Sequence, residues 1–276
     1  MKHFSFNRFF LLALFAFCPS LVFAGTPKRV VALSPSAAEI LCAVGAFDQI
    51  AAVSEYCDYP SEITSKPVCG GFDGKSLSLE TIVSFNPDLV YLTKGMHDHL
   101  EKPLNQLGIK TYMSQADNVQ SVIDEILEIG KLTGHTKNAQ KVIKEIENDL
   151  KKISSKNSSA AKSVYWEVWY APYMSAGRNT FISDVISKAG GKNIFDAVSD
   201  AYPIVSEESI IAAMPEVIII PMSSGISVND VKARKGWEII PAVKNDRIFI
   251  VDDNLFTRPG PRIGKVALEL NEYLNK

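Results

Sequence analysis

Histidine and cysteine are scarce: the 276 residues contain four of each. So few ligands of these types exclude a cluster-bearing metalloprotein and a disulfide-built scaffold. Neither sign of charge prevails, with 29 Lys and Arg against 31 Asp and Glu. A net charge of −2 leaves no basic excess for a nucleic-acid partner. Reaction motifs are missing as well. No G-x-S-x-G elbow, H-E-x-x-H or P-loop occurs, and Gly70-Gly71 lacks dinucleotide-fingerprint spacing. No pair of acidic residues is isolated in an apolar setting that would tune its acidity. Beyond the N-terminus no apolar run is long enough to cross a bilayer. What is present is 46% hydrophobic and 22% charged, the balance of a folded chain of one or two domains.

The first 24 residues read as an export signal. Lys2 and Arg8 supply a positive start, residues 9–17 are continuously apolar, and Val22-Phe23-Ala24 places small residues at a cleavage site. Cys18 raises a lipoprotein alternative, which Phe17 disfavours because a lipidation motif wants Gly or Ala there. Cleavage after Ala24 removes Lys2 and Arg8, leaving 27 basic against 31 acidic residues and a charge of −4. The mature chain is expected to be soluble, monomeric and periplasmic. It keeps Cys42, Cys57 and Cys69. An odd number permits at most one internal disulfide. Cys57 and Cys69, 12 apart in a loop-rich stretch, are the candidate pair, while Cys42 sits in an apolar helical run as an expected buried thiol.

Strands and helices alternate. Strands are predicted over 29–33, 49–53, 88–92, 110–113, 163–169, 216–220 and 247–251, with helical segments between them. That alternation predicts an α/β fold with mainly parallel sheets covered on both faces. Residues 119–153 differ. Val122, Ile126 and Ile129, then Val142, Ile146 and Leu150, recur at helical spacing, with one interruption at Thr133-Gly134-His135. This predicts a long helix, within 118–158, between a lobe over 25–117 and a second over 159–276.

An internal repeat supports two lobes. Ser78-Leu79-Glu80-Thr81-Ile82-Val83 leads to Pro87-Asp88, and Ser206-Glu207-Glu208-Ser209-Ile210-Ile211 leads to Pro215-Glu216, at a constant offset of 128. In each copy Ser starts a helix, Glu sits in the first turn where the helix dipole favours it, and Pro ends the helix before an apolar strand.

Ligands of open parallel sheets bind outside the carboxyl ends of strands. The residues predicted there are Ser34, Tyr56, Phe72, Trp169, Tyr170, Tyr173, Tyr202, Phe256 and Arg258. Such a rim is aromatic with few charges and suits a large, partly apolar ligand. Trp166 alternates with Val168 and is expected in the core, and Arg262 is expected to be structural. Arg258 could bind a ligand carboxylate, amide or phosphate, or could order its loop. His97-Asp98-His99 is too sparse for a metal site, since i and i+2 diverge on a helix and only His135 remains elsewhere in the mature chain.

Several segments, in order, resemble one family: Arg29-Val30-Val31-Ala32-Leu33-Ser34-Pro35-Ser36 with Glu39, Leu79-Glu80 with Asn86-Pro87-Asp88, Leu107-Gly108-Ile109, Gly130-Lys131-Leu132-Thr133-Gly134, Gly190-Gly191-Lys192-Asn193, and Arg258-Pro259-Gly260-Pro261-Arg262. The chain resembles the periplasmic substrate-binding proteins that serve ABC importers for cobalamin, ferric siderophores and haem. The resemblance implies two Rossmann-like α/β lobes joined by one rigid helix, a ligand cleft between them, and no enzymatic activity. It also implies docking of Glu80 and Glu208 to arginines of a permease dimer. The ligand implied is cobalamin or another corrinoid, with a ferric siderophore or haem as the alternative; an axial metal contact by His97 stays open. The corrinoid comes first because the rim lacks the dense Arg/Lys lining that an anionic siderophore rewards. No bound cofactor or resident metal is expected. A chelatase-like enzyme shares a bilobal plan, but such enzymes act inside the cell and the export signal opposes that reading.

Overall fold

The structure, a computed structural model, describes residues 25–71, 73, 76–154 and 160–276. The export-signal reading and Phe72 lie outside the described residues. The first lobe runs β1 (Val30–Ala32), α1 (Pro35–Val44), β2 (Ile50–Val53), α2 (Leu79–Ser84), β3 (Leu89–Thr93), α3 (Asp98–Gln106) and β4 (Lys110–Ser114). Its four strands are parallel, in the order β2-β1-β3-β4. Then follow α4 (Val119–Leu132) and α5 (Thr136–Ser154). The second lobe contains β5 (Lys162–Trp169), β6 (Met174–Ser175), α6 (Phe181–Lys188), β7 (Gly191–Asn193), α7 (Glu207–Ala213), β8 (Val217–Pro221), α8 (Val228–Lys232), α9 (Pro241–Lys244), β9 (Ile248–Val251), α10 (Asp253–Phe256) and α11 (Ile263–Asn275). Its sheet has the order β6-β5-β8-β9, with β7 also on β5, and all pairs are parallel except β5 with β6.

Each sheet is apolar on both faces at its centre because the inner strands β1, β3 and β8 are short hydrophobic runs. Successive side chains alternate between two cores. In β1, Val30 and Ala32 face one cluster while Val31 and Leu33 face another. In β8, Val217 and Ile219 face the same first cluster, and Ile218 and Ile220 face a third. One apolar cluster therefore serves both lobes, running from Val30 and Ile40 through Ile129, Ala139 and Ile146 to Trp166, Ile186 and Leu270. The other two clusters are private to one lobe each.

The predicted long helix is two helices, which corrects the reading of 119–153 as one inter-lobe element. Gly134 takes a left-handed φ of 83°, and His135 N–H bonds Gly130 O at 2.6 Å, closing the first helix. α4 belongs to the first lobe: Glu125 accepts from Tyr91 of β3 and from Ser114 of β4. Burial pushes the Glu125 carboxyl upward. α5 alone bridges. At its start Asn138 Nδ2 donates to Val44 O at 3.0 Å in the first lobe. Further along, Ile146 lies against Gly264 of α11 in the second lobe. Its 19 residues span about 28 Å at ~1.5 Å per residue, so one helix reaches both lobes.

The α5–α11 contact requires a glycine. A Cβ on Gly264 would stand 3.0 Å from Ile146 Cα and 3.1 Å from Asp149 Cβ. Alanine in a helix interior normally gains about 1 kcal/mol over glycine. Overpacking against backbone costs about 1–3 kcal/mol and outweighs it. Gly264→Ala is therefore expected to lower the unfolding free energy, read as a lower urea midpoint; an unchanged or higher midpoint would contradict this packing.

Candidate functional site

The carboxyl ends of the strands carry an exposed aromatic rim. Tyr56 follows β2, Trp169 ends β5, Tyr170 follows it, and Tyr202 lies in the loop before α7. Their exposures are 66%, 57%, 45% and 50%, far above those of core aromatics such as Trp166 at 1%. Isolated exposed apolar residues are ordinary, but four large exposed rings at strand ends are the kind of feature that marks a contact site. Met96 after β3 and Met222 after β8 are also exposed apolar side chains at strand ends. A single loop methionine carries no sequence pattern, although its flexible thioether fits irregular ligands.

Three expected ligand contacts are corrected. Ser34 is buried and caps α1, its Oγ accepting from Ala37 N–H at 3.2 Å. Phe256 is 1% exposed and packs on Trp166 and Tyr273, with ring centroids 6.1 and 6.3 Å away. Arg258 is turned inward. Its Nη1 donates to Glu39 at 3.2 Å and Asp58 at 2.6 Å, and its Nη2 donates to Tyr56 O at 3.1 Å and Asn254 Oδ1 at 2.7 Å. Burial opposes the charge on Arg258, but hydrogen bonds to Asp58 and Glu39 outweigh it and the net shift is upward. His97 is fully buried, and its Nδ1 accepts from Thr93 N–H at 3.0 Å. Trp166 is in the core as expected.

Arg262 completes an ion cluster between the lobes. Its Nε and Nη2 grip the two oxygens of Glu39 at 2.8 and 2.7 Å, and its guanidinium lies 4.1 Å from the Tyr59 ring centroid. Glu39 on α1 is 2% exposed, so one buried carboxylate of the first lobe holds two guanidinium groups of the second.

A second cluster supports the rim from below. Glu167 of β5 pairs with Arg234 through two bonds of 2.6 and 2.8 Å, both side chains being buried. The Arg234 guanidinium lies within 4.7 Å of the Tyr170 ring centroid and 4.6 Å of that of Trp237, a cation–π arrangement that fixes Tyr170. Tyr173 packs edge-on to Tyr170 with centroids 5.3 Å apart. The sequence held one signal of this: Glu167 interrupts an apolar strand, and a buried carboxylate demands a partner.

Cys57 and Cys69 do not pair. Both are free buried thiols, as Cys42 is a free, half-buried one. Cys57 faces the core shared by the lobes and Cys69 the private core of the first lobe, so their side chains diverge. Burial pushes their thiols up to about 11 and about 12. Among the described residues no group of three or more His, Cys, Asp or Glu side chains could hold a metal ion.

Glu80 and Glu208 occupy matching positions, each the second residue of a helix capped by serine: Ser78 for α2 and Ser206 for α7. Both are exposed. Glu80 accepts from Ser78 Oγ at 2.6 Å, and that bond holds its carboxyl below the usual range. Next to Glu208, Glu207 accepts from Trp237 Nε1 at 2.8 Å and Tyr173 OH at 3.3 Å.

Two lobes of parallel sheet, a bridging helix and an apolar rim at the strand ends define a bilobal binding protein. A family model described as periplasmic binding protein matches residues 30–255. The chain belongs to the periplasmic binding protein family. It is 28% identical to the vitamin B12-binding protein of Vibrio parahaemolyticus over 93% of this chain and 93% of that protein. It is 30% identical to an uncharacterized ABC transporter substrate-binding lipoprotein, YvrC, of Bacillus subtilis, over 90% of this chain and 80% of that one. A solved structure of a possible iron-binding, periplasmic solute-binding protein from Staphylococcus epidermidis superposes with a TM-score of 0.79 at 31% identity, covering 91% of this chain and all of that one.

Glu39→Gln would remove the one buried carboxylate that the half-buried Arg258 and Arg262 share. Removing one member of such a cluster costs about 3–5 kcal/mol. The expected result is a loss of that size in urea unfolding; a loss below about 1 kcal/mol, the scale of an exposed pair, would refute the buried cluster.

Proposed function

We propose that this protein captures cobalamin or another corrinoid in the cleft between its lobes and delivers it unaltered to an ABC importer. The observation that carries the ligand class is the rim itself. Tyr56, Trp169, Tyr170 and Tyr202 offer ring surface, while Arg234, Arg258 and Arg262 are committed to internal carboxylates. A large ligand with much apolar surface and little negative charge suits that rim, and a polyanionic chelate does not. The relative named as a vitamin B12-binding protein supports this reading. A ferric chelate or haem is the second reading, favoured by the likeness to the possible iron-binding protein. Residues 1–24 would direct export, placing the mature protein in the periplasm. No helix among the described residues is long and apolar enough to cross a membrane.

The deciding experiment exposes the purified protein to cyanocobalamin, haemin and ferric chelates in turn, removes free ligand by gel filtration, and records the absorption spectrum. Retention of the corrinoid bands supports the proposal, and retention of haem or ferric chelate alone overturns it in favour of the second reading. Once the retained corrinoid is titrated, Trp169→Ala and Tyr56→Ala are each expected to weaken binding by roughly tenfold or more, as loss of an aromatic anchor does. Thermal midpoints should stay near wild type because both rings are exposed. Wild-type affinity in both variants would remove them from the site.

Delivery is proposed to use Glu80 and Glu208. Two exposed carboxylates at equivalent places on two lobes can engage arginines of a two-fold permease, contributing orientation and association rate more than affinity. Glu80→Lys with Glu208→Lys is expected to leave corrinoid affinity unchanged and to abolish binding-protein-dependent uptake. Normal uptake by the double variant would end the docking claim.

A further inference from the structure

The two arginines of the Arg258-Pro259-Gly260-Pro261-Arg262 segment do more than pair with an acid. Between them they hold the loop after β2 at three points. Arg258 donates to the main-chain carbonyl of Tyr56 at 3.1 Å and to the Asp58 carboxylate at 2.6 Å. Arg262 lies 4.1 Å from the Tyr59 ring centroid. Both guanidinium groups are themselves seated on the buried Glu39 carboxylate of α1. The loop and Glu39 belong to the first lobe, and the arginines to the second.

Tyr56 needs such support. Its φ is 64°, the left-handed region that a bulky residue adopts only when its surroundings over-determine it. Its ring is nevertheless 66% exposed at the rim, so the backbone must hold a side chain that core packing does not. Four hydrogen bonds from the two terminal nitrogens of Arg258 account for four of the five N–H groups that a guanidinium carries. Those donors are spent inside the protein.

We propose that Arg258 is a positioning residue: anchored on Glu39, it reaches from the second lobe to fix the Tyr56 backbone, and so presents the Tyr56 ring to the ligand without touching the ligand itself. The inference rests on the proposed cleft, but the clasp makes a claim of its own about the ligand-free protein. Lysine keeps the charge at this position and loses the planar fork, so it cannot serve four acceptors at once.

The test uses Arg258→Lys, Tyr56→Ala and their combination in the full chain, with two readouts. In ligand-free protein, hydrogen exchange should quicken by about tenfold or more in Arg258→Lys across residues 54–60, while β5 and α11 keep their protection. In titration with cyanocobalamin, Arg258→Lys should weaken binding by about 5–10-fold, and by less than about twofold once Tyr56 is already alanine, the non-additivity of residues that act together. Unchanged exchange over 54–60 overturns the clasp. Equal losses in both backgrounds overturn the positioning role and make Arg258 a ligand contact. If Arg258→Lys does not fold, Asp58→Asn, which cuts the partly exposed arm of the same clasp, should quicken exchange over 54–60, and its failure to do so counts equally against the proposal. A wild-type protein that ignores cyanocobalamin defeats the corrinoid reading, and the exchange result still decides the clasp.

Discussion

The burial of α5 against both lobes is the constraint on which the molecule depends. Ala139, Val142, Ile143, Ile146, Leu150 and Ile153 fall at helical spacing, and all but Ile153 belong to or pack on the cluster that also contains the inner faces of both sheets. Each fully buried branched side chain contributes about 1.5–3 kcal/mol. Separating the lobes would therefore expose apolar surface along a strut about 28 Å long, at ~1.5 Å per residue. A pair of domains on a loose linker can swing by large angles, whereas lobes that share a core and a helix cannot. The spacing between the two sets of strand ends is thus largely preset, and in the proposed binding role the rim would be nearly complete before a ligand arrived.

Charge is used inside this frame for orientation. The Glu167–Arg234 pair is buried, and the half-buried Arg258 and Arg262 meet on the buried Glu39 carboxylate. Apolar residues of equal volume often hold a core at least as well as such ions. What apolar residues lack is direction. A guanidinium fork fixes two planes at once, and here the first cluster orients the loop carrying Tyr56, while the second orients Tyr170. The exposed rings are therefore stiffened from beneath by ion pairs, one spanning the lobes and one within the second lobe. Preorganised rings lose little freedom on binding, which is where affinity for a rigid, bulky ligand is gained.

The strands were legible because a buried parallel strand is a short apolar run between turn signals. The runs at 110–113 and 163–169 differ from the observed β4 and β5 by one residue at one end, and the run at 88–92 is shifted by one residue from β3. The serine caps of α2 and α7 were legible for the same local reason. The break between α4 and α5 was visible as Thr133-Gly134-His135, but its consequence was not. Periodicity says which face of a helix is apolar, and it is silent on which partner covers it, so α4 was assigned to the strut and not to its own lobe. Phe256 and Arg258 were misread for a related reason. Position after a strand places a backbone at the rim, while the direction of the side chain depends on partners elsewhere: Tyr273 for Phe256, and Glu39, 219 residues away, for Arg258. Residue spacing offered no sign that Cys57 and Cys69 face different cores.

The same topology links capture to delivery. In a parallel sheet a helix runs back antiparallel to its strands, so its first turn lies on the side of their carboxyl ends. α2 leads into β3 and α7 into β8, and the first turns of both helices therefore lie on the side of the aromatic rim. On the docking proposed for Glu80 and Glu208, a permease that met both acids would sit over the mouth of the cleft. The distance between the acids is set by α5 and the shared core, as is the gap between the lobes. Tyr173 makes the connection local as well: its ring packs on Tyr170 at the rim, and its hydroxyl donates to Glu207, the residue before Glu208. On that proposal a stiff frame would fix the ligand rim and the two acids in one geometry, and a surface that recognised the acids would already be placed to receive what the rim held.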